Sequence, residues 1–208
     1  MRRVSTLLAT MAVMVLVAAG VAIAVNKVGT DGPDTLRGTN GDDNLVGLGG
    51  QDNIFSLDGT DNLAGGLGKD NVLARDERRP GRGDKNLDGG PGNDAVFGGK
   101  GSDKIVGGEG NDWLVEDGLR EFSKDTLSGG SGNDVIDVWH KPAAVTDVVA
   151  CGSGFDRVIA DRATLVAPDC EKVVVVHGSL ENMFDQSEAF FESIPQSFFE
   201  GLPPDPFN

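Results

Sequence analysis

Residues 89–115 read GGPGNDAVF, GGKGSDKIV and GGEGNDWLV, three nonapeptides that follow one another without a gap. In each, glycine stands at positions one, two and four, aspartate at position six and an aliphatic residue at position eight. The glycines permit positive φ and close approach of neighbouring backbone, which a tight turn demands. The aspartates (Asp94, Asp103, Asp112) put a hard oxygen anion at the end of that turn. Positions seven to nine read as a short strand, with Val96, Ile105 or Leu114 pointing inward and its neighbours outward. Nine residues thus make a turn and a strand, half of one coil, and two repeats complete a coil of a flattened helix. Strands of alternate repeats then stack in parallel on two faces.

The pattern extends in both directions. Residues 29–73 divide into five more gapless units, GTDGPDTLR, GTNGDDNLV, GLGGQDNIF, SLDGTDNLA and GGLGKDNVL, and GGSGNDVID (129–137) and CGSGFDRVI (151–159) follow downstream. Weaker copies fit at 80–88, 120–128, 142–150 and 166–174 once inserts are allowed at 74–79, 116–119, 138–141 and 160–165. Position eight of these fourteen units is always Leu, Ile or Val, position six is Asp in twelve, and position four is Gly in eleven. So regular a repeat predicts an all-β chain, a parallel β-roll or β-solenoid over residues 29–174.

Stacking brings the turn of one repeat beside the turn two repeats on, so the position-six carboxylates form a row along each edge. Such a row repels itself unless a cation intervenes. Calcium suits it, because it takes six to eight oxygens from carboxylates and backbone carbonyls in irregular geometry, whereas magnesium wants a tighter octahedron and retained waters. Zinc and copper would want His or Cys, and the two histidines, His140 and His177, lie outside the strong repeats. The candidate ligands are Asp34, Asp43, Asp52, Asp61, Asp70, Asp94, Asp103, Asp112, Asp134 and Asp156, holding several calcium ions. Lys85 puts an ammonium at the acid position of the copy at 80–88. Either that copy is stacked, with the ammonium in place of a cation between Asp61 and Asp103, or it is looped out of the roll.

The pattern G-G-x-G-x-D-x-(aliphatic)-x, closest at Gly89–Asp94, Gly98–Asp103 and Gly107–Asp112, resembles the RTX, or hemolysin-type, calcium-binding repeat. The resemblance implies a parallel β-roll with calcium held between turns of alternate repeats. The ending, Cys151-Gly-Ser-Gly-Phe-Asp156 with Asp169-Cys170-Glu171, is similar to that of secreted actinobacterial members. The copies at 120–128 and 142–150 depart from the pattern, because their glycines are missing.

Composition agrees with a fold that does not rest on a thick apolar core. The chain has 208 residues, 31 of them glycine, with 6% aromatic residues and no Tyr. Its 18 Lys and Arg against 33 Asp and Glu leave a net charge of −15, which argues against a nucleic-acid partner. Arg2 and Arg3, the uncharged and mostly apolar run from Val4 to Val25, and the small-x-small triplet Ala22-Ile23-Ala24 read as an export signal over residues 1–24. An uncleaved membrane anchor is the other reading of that run. Both place the rest of the chain outside the cytoplasm.

Cys151 and Cys170 are the only cysteines. In an exported chain they would pair, closing a loop worth about 3 kcal/mol in the chain-entropy picture; two buried free thiols are the alternative. In the last segment, 175–208, Leu180, Met183, Phe184, Phe191, Ile194 and Phe198 follow helix-like spacing until the prolines. This reads as a short helical tail that caps the roll, or as a partner-binding segment. No H-E-x-x-H or G-x-S-x-G motif is present, and about thirty residues beyond the repeats leave no room for a catalytic domain. The sequence therefore describes a secreted, monomeric, non-enzymatic calcium-binding protein that folds or rigidifies on extracellular calcium. A calcium-dependent module for cell-surface adhesion or partner binding is the alternative.

Overall fold

The structure is a computed structural model that describes residues 24–74, 85–116, 123–138, 145–176 and 194–204. The export signal read over 1–24 lies almost wholly outside these residues. No helix among the described residues is long and apolar enough to cross a membrane.

The chain winds into a parallel β-roll of two eight-stranded sheets. The first holds β1 (Asn26–Val28), β3 (Asn44–Gly50), β5 (Asn62–Gly68), β7 (Asn86–Pro91), β9 (Lys104–Glu109), β11 (Thr126–Ser131), β13 (Val148–Ser153) and β15 (Leu165–Val166), in that order. The second holds β2 (Thr35–Arg37), β4 (Asn53–Phe55), β6 (Asn71–Leu73), β8 (Ala95–Phe97), β10 (Trp113–Val115), β12 (Val135–Val138), β14 (Arg157–Ala160) and β16 (Lys172–Val175). Strands alternate between the sheets along the chain, as the half-coil repeat requires. Every pairing is parallel and joins equivalent repeat positions, for example Leu63 with Leu87 and Leu114 with Ile136.

Position eight forms the core. From Leu45 to Val158, all twelve such residues are at most 2% exposed, and each Leu, Ile or Val so buried contributes about 1.5–3 kcal/mol. The fitted copies at 80–88, 120–128 and 142–150 are in register, since Asn86, Thr126 and Val148 pair with Asn62, Lys104 and Thr126. Lys85 is therefore stacked and not looped out.

The copy at 166–174 is in register, Val173 pairing with Val158, but the reading of 160–165 as an insert needs correction. β16 lies beside β14 in the same sheet, so a further half coil separates them, and it is the stretch read as an insert. β15 extends the first sheet there beside β13. That half coil lacks glycine and a position-six acid; instead Asp161 Oδ1 accepts the amides of Ala163 and Thr164, and Leu165 N–H donates to the Asp147 carbonyl. Cys151 and Cys170 form a disulfide across this end.

The described part of the C-terminal segment carries a short helix, α1 (Gln196–Gly201). It packs on the outer face of the second sheet, where Ile194 and Phe198 bury against Val135, Ile159 and Val176. Trp113 meets Phe199 edge-on at 6.2 Å, and Asn71 Nδ2 donates to the Pro204 carbonyl at 2.9 Å. These residues thus lie along the stack and not over its last layer, where Val173 is 39% exposed.

Candidate metal sites

Position six closes each turn, and the stack sorts these residues onto two edges. The first edge, leading into the second sheet, carries Asp34, Asp52, Asp70, Asp94, Asp112, Asp134, Asp156 and finally Glu171. The second edge, leading into the first sheet, carries Asp43, Asp61, Lys85, Asp103, Asp125 and Asp147. All ten sequence-selected aspartates fall into these two rows.

Each row is a hydrogen-bonded ladder. On the first edge the backbone N–H of Asp52 donates to Asp70 Oδ1, Asp70 to Asp94, Asp94 to Asp112, Asp112 to Asp134 and Asp134 to Asp156, at 2.8–2.9 Å. Glu171 ends it, accepting from Asp156 N–H through Oε2. On the second edge Asp43 donates to Asp61, Lys85 to Asp103, Asp103 to Asp125 and Asp125 to Asp147. The repeat thus uses one carboxylate oxygen to hold the next coil.

The other oxygen has a different fate. Oδ2 of Asp52, Asp70, Asp94, Asp112, Asp134 and Asp156 is buried and accepts no hydrogen bond among the described residues. Burial pushes these carboxyls up, opposed by the amide each one accepts: Asp94 and Asp134 to about 8, Asp112 to about 7 and Asp70 to about 6, with Asp52 and Asp156 also raised. At the start of the roll the oxygen is used: Thr30 N–H and hydroxyl donate to Asp34 Oδ2, and Thr39 does the same for Asp43.

Glycine shapes the space beside these oxygens. A Cβ on Gly89 would lie 2.6 Å from both Asp94 Oδ2 and the Gly107 carbonyl oxygen, so only glycine leaves that cradle open. Gly108 has φ +122 and its Cα lies under the Gly90 carbonyl, which bars any side chain there. Position two of the earlier turn at 47–52 is Leu48, held at φ +83 and 42% exposed.

The structure adds three features to the sequence reading. Asp125 and Asp147 complete the second row although their turns lack glycines. Position five carries a second ladder, in which Asn111 N–H donates to Asn93 Oδ1, Asn133 N–H to Asn111 Oδ1 and Phe155 N–H to Asn133 Oδ1; the recurring Asn was its signal. Lys85 is 1% exposed and its ammonium donates to the Lys100 carbonyl at 3.0 Å, near enough to Asp61 to oppose the rise that burial causes there.

Hard anionic oxygens beside backbone carbonyls, with no His or Cys among them, fit calcium. No three acidic, His or Cys side chains converge on one point among the described residues, so carbonyls such as that of Gly107 would complete each shell.

A parallel β-roll with a buried carboxylate at most of its turns defines a class of repeat protein built around metal-binding turns. The RTX calcium-binding nonapeptide repeat matches in four copies, at residues 28–63, 37–72, 81–115 and 123–138, so the chain carries RTX repeats. RTX nonapeptide repeats bind calcium. No curated protein and no solved structure matches the chain.

Proposed function

We propose that this chain takes up several calcium ions in the turns of its roll, outside the cytoplasm, and that the roll folds or becomes rigid as they enter, without catalysing a reaction. The observation that carries this reading is the run of six buried Oδ2 atoms along the first edge, from Asp52 to Asp156, that accept no hydrogen bond among the described residues. An isolated buried carboxylate is strongly disfavoured, so without metal these groups must hold protons or the turns must open to water. A divalent cation supplies the missing charge when bound. Asp94 Oδ2 and the Gly107 carbonyl are the kind of oxygens that would hold it, and the Oδ1 ladder fixes the spacing of the turns. Because an extended chain offers no such cradle, calcium binding is linked to folding.

Export is supported by Arg2, Arg3, the apolar run and Ala22-Ile23-Ala24, and a Cys151–Cys170 disulfide suits an oxidising compartment. Circular dichroism in chelator and in millimolar calcium tests the reading. Strand signal should appear with calcium, and much less with magnesium; equal strand content with and without calcium would defeat it.

A further inference from the structure

We infer that the roll carries its calcium along one edge only, the row from Asp52 to Asp156, and that the second edge is closed by groups of the chain itself, with the Lys85 ammonium standing where a cation would. This rests on the calcium reading above and concerns where the ions sit.

Three features separate the edges, the glycine cradles, the chain connections and the charge at position six, and the run of buried oxygens shows where the ions would sit. The six Oδ2 atoms of Asp52, Asp70, Asp94, Asp112, Asp134 and Asp156 are consecutive on the first edge, and each is buried and unpartnered among the described residues. The second edge holds buried Oδ2 atoms as well, those of Asp61, Asp103 and Asp147, but there the Lys85 ammonium acts on Asp61, Asp43 Oδ2 is taken by Thr39, and Asp103, Asp125 and Asp147 have interactions besides the ladder.

The cradles are also one-sided. Above Gly65, Gly89, Gly107 and Gly129 on the first edge, the space a Cβ would fill is bounded by the turn's own Oδ2 and by the carbonyl of the equivalent residue in the next coil. Above Gly98 on the second edge the Ile105 side chain fills that space, with its Cδ1 2.6 Å from where a Cβ would be. Hydrocarbon there offers a cation nothing to bind.

Chain connection follows the same division. From Asp34 to Asp156, every first-edge turn joins its strands with no extra residue. The stretches 75–84, 117–122 and 139–144 all fall between a second-sheet strand and the next first-sheet strand, where the second edge runs.

Charge completes the contrast. The first edge has no cation at position six from Asp34 to Asp156. The second has Lys85 at the middle of its row, fully buried, with N–H bonded to Asp103 Oδ1 and Nζ bonded to a turn carbonyl. A divalent ion beside a fixed ammonium would meet like charge in a low-dielectric site.

Six first-edge carboxylates bound five gaps, so about five calcium ions are expected. Titration calorimetry with calcium on the unaltered chain counts them. Asp94→Asn and Asp112→Asn keep an Oδ1 acceptor for the ladder while removing the anionic oxygen, and each should lower the count by at least one ion. Asp103→Asn and Asp125→Asn should leave the count unchanged. Loss of ions from the second-edge variants equal to that from the first-edge ones would overturn the inference while leaving calcium binding intact. Absence of calcium binding by the unaltered chain would overturn both.

Discussion

The backbone N–H of Asp94 donates to Oδ1 of Asp112 across 2.9 Å, while Oδ2 of the same carboxylate is buried with no hydrogen-bond partner among the described residues. One side chain therefore does two separable things: it holds the neighbouring coil and it waits for a cation. Asp112→Ala should remove both, leaving the Asp94 amide unsatisfied at a cost of about 1–3 kcal/mol in chelator and in calcium alike. Asp112→Asn should leave stability in chelator unchanged or raised, and shrink only the gain on adding calcium. Denaturant unfolding of the two variants checks this, and equal losses in chelator would show that the ladder bond contributes nothing.

The raised carboxyls make the calcium-free roll acid-favoured. A group whose folded-state value lies above its unfolded one stabilises the fold fully below the unfolded value, near 4 for Asp, and loses that contribution as pH rises through the folded one. With Asp70 at about 6, Asp112 at about 7 and Asp94 and Asp134 at about 8, the loss should run from about pH 4 to pH 8. Thermal melts without calcium should therefore fall across that window. Calcium uptake should release protons, and its affinity should weaken as pH drops below 8. A calcium-free melting temperature that climbs from pH 5 to pH 8 would contradict the burial of these groups.

Leu48 is the one described non-glycine residue with positive φ, at +83, and it occupies the position that glycine holds in the neighbouring turns. Left-handed backbone disfavours a Cβ-bearing residue by about 1–2 kcal/mol, and Leu48 is partly exposed, so little packing would be lost. Leu48→Gly should therefore stabilise the roll by about 1 kcal/mol, less the extra chain entropy of glycine. The opposite substitution at an equivalent site, Gly108→Ala, should destabilise strongly, because its Cβ would strike the Gly90 carbonyl. Melting temperatures of the pair decide it; a more stable Gly108→Ala protein would mean the turns are not built as described.

Lys85→Asp exchanges a buried ammonium between Asp61 and Asp103 for a third negative charge. In chelator the variant should be less stable than the parent by more than an exposed substitution would cause, well beyond about 0.5 kcal/mol. Calcium should recover more of its stability than it adds to the parent. A change within that half kilocalorie would mean that Lys85 lies outside the stack in solution.

Much of this was legible because the repeat fixes inward and outward positions with no help from tertiary context. Leu87 and Leu127 were placed correctly through stretches that break the pattern, since inserts at 74–79 and 116–119 return an aliphatic residue to position eight. The half coil carrying Leu165 and Val166 was not legible: it has neither the glycines nor the acid that mark the others, and Asp161 turns the chain by side-chain caps instead. The division between edges lay open in the order of the repeats. Lys85, Ser123 and Val145 all break the pattern in copies that belong to one edge, but nonapeptides read as equivalent units hide it. The resting place of Phe198 was not readable at all, because amphipathic spacing states that a face is buried and not what buries it.

The segment from Ile194 to Pro204 gives the roll a load path that its repeats lack. In a stack where each coil grips only the next, tension at one end peels coils away singly. Here one piece of chain runs along the axis, touching Ile159, Val135 and Trp113 and reaching Asn71. Pulled from the side of β1, the coils of β1 to β5 unwind one after another at low force. Those from β6 onward hold as a block until the strap itself is sheared off.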